Sequence, residues 1–76
     1  MKLYKVTYET EVVILAENEK EALSNAQYYV KEEEPELMDL ELVEGMGQIS
    51  KWTGCIPYSA YREYNVEEKR CEEFLV

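Results

Sequence analysis

The sequence contains no histidine, only 3 glycines, 2 prolines and 2 cysteines, and 8 basic residues against 17 acidic ones. Each shortage removes a class of chemistry. Without histidine there is no Ser–His or Cys–His nucleophile pair, and the commonest zinc ligand is missing. Cys55 and Cys71 lie far apart and form no C-x-x-C pair, so a four-cysteine metal site is excluded. They read as reduced thiols of a cytosolic protein, acting as small core fillers, with a single Cys55–Cys71 disulfide as the alternative. The G-x-x-x-x-G-K-[ST] order of a phosphate-binding loop is absent. Gly45-Met46-Gly47 lacks the third glycine and the strand-to-helix setting of a dinucleotide fingerprint, and reads as a turn in which glycines supply positive φ. No apolar run is long enough to span a bilayer, and no signal-peptide pattern is present. The acidic runs lack the residue order of an EF-hand. The net charge of −9 removes the basic footprint of a nucleic-acid binder. An acidic surface favours basic partners and repels anionic membranes and phosphates.

What is present describes one α+β domain over residues 1–76. A chain of 76 residues buries only about 60–65% of its unfolded surface, which favours a surface site over a deep pocket. An apolar content of 46% argues against disorder despite the charge.

The stretch Asn18–Val30 organises the reading. Asn18 is placed to cap a helix, and Glu21, three residues on, to reach back to the first turn. Glu17, Glu19 and Glu21 collect at the positive end of the helix dipole. Ala22, Leu23, Ala26, Tyr29 and Val30 form one apolar stripe, which leaves Tyr28 facing water. Pro35 ends any continuation.

Before the helix, Lys2–Tyr8 alternates, with Tyr4, Val6 and Tyr8 on one face and Leu3, Lys5 and Thr7 on the other. Glu11–Ala16 is rich in β-branched residues and reads as a strand covered on both sides. The two strands are read as a hairpin, with one long bent strand as the alternative. After the helix, Lys31–Glu36 is a polar linker, Leu37–Val43 a third strand with a wet acidic face, and Gln48–Thr53 a fourth strand carrying Trp52. Gly54–Pro57 reads as a loop and Tyr58–Tyr64 as an edge strand or a helical turn. Asn65 with Glu68 repeats the capping-box spacing, so Val66–Glu73 is read as a short helix or a fifth strand. The expected layout is a mostly antiparallel β-β-α-β-β sheet plus a C-terminal strand or short helix, with one helix packed on one face.

Two features exceed the ordinary. Glu32, Glu33, Glu34, Glu36, Asp39, Glu41 and Glu44 occur with no basic residue between Lys31 and Lys51. Asp39 and Glu41 stand roughly 6–7 Å apart on one strand face. Glu67, Glu68, Glu72 and Glu73 form a second cluster. The other feature is 7 tyrosines. Tyr4, Tyr8 and Tyr29 are core candidates. Tyr28, Tyr58, Tyr61 and Tyr64 are candidate interface anchors, since aromatics beside carboxylates suit a partner rich in arginine and lysine. Solubility and core filling are the plainer readings of the same residues. Carboxylate pairs are plentiful, but nothing singles one out as an acid and a base, so no enzyme is expected and no cofactor or metal.

The segment Tyr4-Lys5-Val6, Val12–Ala22 and Ala26 resembles the strand and strand-to-helix pattern of the DpnD/PcfM-like family of phages and mobile elements, over about half the chain. Gly54–Val76 has no counterpart in that pattern. The resemblance implies an accessory protein of a mobile element and carries no site residues. In general type (short, acidic, α+β) the chain is also similar to anti-CRISPR proteins. These features lead to one expectation: a cytoplasmic, non-enzymatic inhibitor whose acidic, tyrosine-bearing surface occupies a basic, nucleic-acid-binding site of a host defence protein. Tyr28, Asp39, Glu41, Glu44, Tyr58, Tyr61 and Tyr64 are the partner-binding candidates. Self-association or edge-strand addition, including a homodimer, is the alternative.

Overall fold

In the computed structural model, which describes residues 1–28 and 36–75, β1 (Lys2–Thr7) and β2 (Glu11–Ala16) pair as an antiparallel hairpin. Their register runs from Lys2 opposite Ala16 to Thr7 opposite Glu11. Tyr8, Glu9 and Thr10 make the connection without any glycine, closed by the Tyr8 amide donating to the Thr10 carbonyl at 2.8 Å. β3 (Asp39–Leu42) adds antiparallel to the other side of β1, giving the order β2-β1-β3.

The helix α1 (Glu19–Ala26) follows β2 after two residues. Asn18 holds an extended backbone, and its Oδ1 accepts from the Glu21 amide at 2.9 Å. The Glu21 carboxylate reaches back one residue beyond the expected place, to the Glu17 amide at 3.3 Å. The buried face is formed by Ala22, Asn25 and Ala26, with Leu23 only partly covered. The stripe is therefore centred one position off the expected one and contains a polar residue. Tyr29, Val30 and the linker acids Glu32–Glu34 lie outside the described residues, as does Pro35.

Both faces of the sheet are covered, so β1 is more than the half-buried strand that alternation alone predicts; the alternation decides which residues each face receives. On one side Tyr4, Val6, Tyr8, Val12 and Ile14 pack beneath Ala22 and Ala26 of α1. On the other Leu3, Val13, Leu15, Val43, Ile49 and Cys71 form a second cluster under the C-terminal third. β2 is thus enclosed on both faces, with Val13, Ile14, Leu15 and Ala16 wholly buried.

Gln48–Thr53 is not a fourth strand. Met46–Trp52 forms two 3-10 turns that meet at Ile49 (φ −135°, ψ 41°). The physical reason is spacing. Met46, Ile49 and Trp52 recur every third residue, which on a 3-10 turn brings all three to one side, and all three pack on the second cluster. Gly45 before it is extended (φ −159°), so the expected positive φ at this turn is not used. Among the described glycines only Gly54 adopts it, at φ 78°.

The C-terminal third is irregular. Tyr58 makes a single parallel bridge to Ile14, its amide donating to the Val13 carbonyl at 2.9 Å and its carbonyl accepting from the Leu15 amide at 2.8 Å. Arg62–Asn65 and Cys71–Phe74 are single 3-10 turns. Of the expected Val66–Glu73 element, the short 3-10 helix Cys71–Phe74 forms its C-terminal part, while Val66–Arg70 is neither helix nor strand. Asn65 binds Lys69 at both ends of its amide, accepting from the Lys69 amide at 2.9 Å and donating to its carbonyl at 3.1 Å. That closes a loop in which Glu68 adopts φ 53°. Asn65 therefore acts as a loop clamp and not as a helix cap.

Cys55 and Cys71 are free thiols whose backbones touch, the Cys71 amide donating to the Cys55 carbonyl at 2.9 Å. Cys71 is a core residue and Cys55 is exposed.

Candidate functional site

The expected site residues divide between the two edges of the sheet. Asp39, Glu41 and Glu44 belong to β3 and its exit; Tyr58 bridges to the opposite edge, at β2. Three strand spacings separate them, about 14 Å of sheet.

At the β3 edge, Lys5 lies across from Glu41 in the register, and its Nζ is 3.1 Å from the Glu41 carboxylate. Gln48 donates to the same carboxylate at 2.6 Å. These two contacts, the glutamine bond first, hold the Glu41 pKa below its ordinary value, and the Glu41 contact raises that of Lys5. Glu41 is therefore engaged within the fold. Gln48 uses its whole amide there: it also donates to the Leu42 carbonyl at 3.0 Å and accepts from the Glu44 and Gly45 amides at 2.6 and 3.1 Å. The acids left facing solvent at this edge are Glu36, Asp39 and Glu44.

The backbone of the same edge is open. Val43 donates to Leu3 on β1 at 2.9 Å, so by the antiparallel alternation Leu40 and Leu42 turn their amide and carbonyl groups outward. Gln48 takes the Leu42 carbonyl; Leu40 has no outward partner among the described residues. Leu37, Met38 and Leu42 are exposed beside it.

At the β2 edge, a groove of about 450 Å³ runs between α1 and the chain after Tyr58, lined by Ser24, Asn25, Tyr28, Ala60 and Tyr61. Tyr28 is 81% exposed and Tyr61 49%. A second hollow of about 440 Å³ shares Ala60 and Tyr61 and continues past Tyr58 toward Asn65 and Glu68. Tyr58 stands edge-on to Trp52 with ring centroids 5.5 Å apart, and Tyr61 to Tyr64 at 5.0 Å. Tyr64 is turned inward. It packs on the second core cluster, with its hydroxyl under the influence of the Glu21 carboxylate. Desolvation, with the carboxylates of Glu21 and Glu17, pushes its pKa up to about 12. Tyr64 thus stands where the C-terminal third meets the start of α1.

No protein-family model, curated protein or solved structure matches the chain. Among the described residues, no group of acids and cysteines is arranged to hold a metal ion, and no helix is long and apolar enough to cross a membrane.

The residue that sequence reasoning missed is Asn25. It is 6% exposed, and among the described residues its Nδ2 has no hydrogen-bond partner. A buried amide donor left unsatisfied costs about 1–3 kcal/mol. The signal was available: Asn25 falls three residues after Ala22, inside the apolar face of a helix, where a polar side chain needs a reason.

Proposed function

We propose that the protein is a non-enzymatic binding protein that places its acidic β3 edge against a basic surface of a larger protein, of the kind that binds nucleic acid. The observation that carries this is the edge itself. Glu36, Asp39 and Glu44 face solvent beside an outward-turned Leu40 backbone and the exposed Leu37, Met38 and Leu42. Apolar anchors ringed by charge of one sign give contact area and select for the opposite sign. A cytoplasmic inhibitor of host defence, carried by a phage or mobile element, is the setting that this reading and the N-terminal resemblance support together.

The test is affinity capture from bacterial lysate at low and then high salt, with mass spectrometry of what elutes. A nucleic-acid-binding protein is expected to be retained at low salt, released as exposed charges are screened, and lost when the lysate is first saturated with nucleic acid. Retention that is indifferent to salt and to added nucleic acid overturns the electrostatic reading. The exposed apolar edge also favours a second reading, self-association through β3. In that case the bait recovers only its own kind.

A further inference from the structure

From the backbone contact between Cys55 at the surface and Cys71 in the core, we infer that the two cysteines are an oxidation-sensitive pair: hydrogen peroxide closes a Cys55–Cys71 disulfide that locks the loop 56–70 onto the sheet, and a thiol reductant reopens it.

The backbone sets the distance. The Cys71 amide donates to the Cys55 carbonyl at 2.9 Å. Residues of adjacent segments joined by such a bond have Cα atoms about 5–6 Å apart, the span that a disulfide prefers. Both residues are pinned in place. The Cys55 amide donates to the Trp52 carbonyl at 2.9 Å, and the Glu72 carboxylate accepts from the Gly54 amide at 2.9 and 3.2 Å. The side chains also sense each other: burial first, and the charge of Cys55 next, raise the Cys71 thiol to about 11. Exposure sets the order of attack. Cys55 is open to solvent and Cys71 is wholly buried in the second cluster, so the oxidant meets Cys55, and Cys71 acts from inside as the resolving thiol. The peroxide O–O bond breaks as an S–O bond forms at Cys55, giving a sulfenic acid and water. The Cys71 sulfur then attacks the Cys55 sulfur. The S–S bond forms, the S–O bond breaks, and the leaving hydroxide takes the Cys71 proton as a second water. The two thiols give up two electrons and two protons, and the peroxide is reduced. The loop so closed is held by contacts such as the Tyr58 bridge and the Asn65 clamp, not by a regular element, so the cross-link removes much of its freedom in the unfolded chain. Because the loop carries Tyr58 and Tyr61, oxidation fixes the tyrosine-bearing edge and leaves the acidic β3 edge unchanged. Where glutathione keeps thiols reduced, a disulfide of this kind is transient and reports oxidant.

The test treats the folded, reduced chain with a small excess of hydrogen peroxide, then alkylates it with iodoacetamide in denaturant and weighs the intact protein. The oxidised wild type is expected to be a monomer lighter by two hydrogens that takes up no alkyl group; after dithiothreitol it takes up two. Its melting temperature is expected to rise by at least about 5 °C, as closure of a loop of this length predicts, and to return on reduction. Cys55→Ser changes an exposed residue, and it is expected to keep its remaining thiol under the same treatment. Cys71→Ala is expected to stop at a sulfenic acid on Cys55, trapped by dimedone. If Cys71→Ala does not fold, the wild-type masses and melting temperatures still decide the matter. Two thiols that remain open to alkylation after peroxide overturn the proposal. So does a disulfide-linked dimer through Cys55, or an oxidised chain that melts no higher than the reduced one. Loss of the Cys71 thiol in Cys55→Ser at the wild-type rate contradicts Cys55 as the point of attack. None of these readouts involves the β3 edge, so they stand whether or not that edge captures a partner.

Discussion

At the scale of single residues, three side chains carry roles that composition alone does not reveal. Gln48 ties β3 to the turn that follows by holding two backbone amides and one carbonyl as well as Glu41. Gln48→Ala is expected to lower stability by about 1–2 kcal/mol, the net value of a few part-exposed hydrogen bonds to backbone, read as a lower urea midpoint at unchanged slope. An unchanged midpoint would show that water replaces these bonds at no cost. Cys71 and Tyr64 make stability depend on alkaline pH. Burial raises the Cys71 thiol to about 11 and Tyr64 stands at about 12, against ordinary values of 9.0 and 10.0. The folded chain keeps these protons where the unfolded chain releases them, so the stabilisation is complete below about pH 9 and is lost as pH rises through the folded values. The urea midpoint is expected to fall steadily above about pH 9, and Cys71→Ala to flatten part of that fall; a midpoint level from about pH 9 to pH 11 contradicts it. Asn18 was legible as a cap because capping is local. Gln48 was not, because its partners are set by where β3 ends.

At the scale of elements, local grammar and long-range pairing separate clearly. The hairpin, the helix and β3 were readable because alternation and an apolar stripe state which face is buried. The segment after Gly47 was misread because an apolar residue at every third position lies between the strand and helix periods. The 3-10 geometry settled there because Met46, Ile49 and Trp52 all had a cluster to cover. Beyond Gly54 the chain is held by side-chain clamps and single bridges, such as Asn65 on Lys69 and Tyr58 on Ile14, and such contacts leave no period in the sequence. The β3 edge carries its own prediction. Pairing of two copies along β3 would set Glu36, Asp39 and Glu44 of one chain against those of the other, and like charges directly across strands are destabilising. Light scattering at low salt is therefore expected to show a monomer across the micromolar range. A concentration-dependent dimer would move the function of this edge to self-association.

At the scale of the whole molecule, the acids and tyrosines that the sequence offers as one surface occupy two opposite edges of the sheet. Glu41 and Tyr64 are engaged by partners within the chain; Asp39 and Glu44 stay exposed at one edge, and Tyr28, Tyr58 and Tyr61 gather at the other. This division was invisible in the sequence because strand order, not position along the chain, decides which residues are neighbours. It also makes a clean experiment available, since charge can be reversed at one edge without touching the other. The decisive measurement is capture from one bacterial lysate on two baits, the wild-type chain and the Asp39→Lys/Glu44→Lys chain, at about 50 mM salt and again at about 500 mM, where exposed charges are screened within a few ångströms. A nucleic-acid-binding protein held by the wild type at low salt, released at high salt and missing from the charge-reversed bait is the expected result. The same proteins on both baits, or recovery of nothing but the chain itself, would contradict the acidic edge as a binding surface.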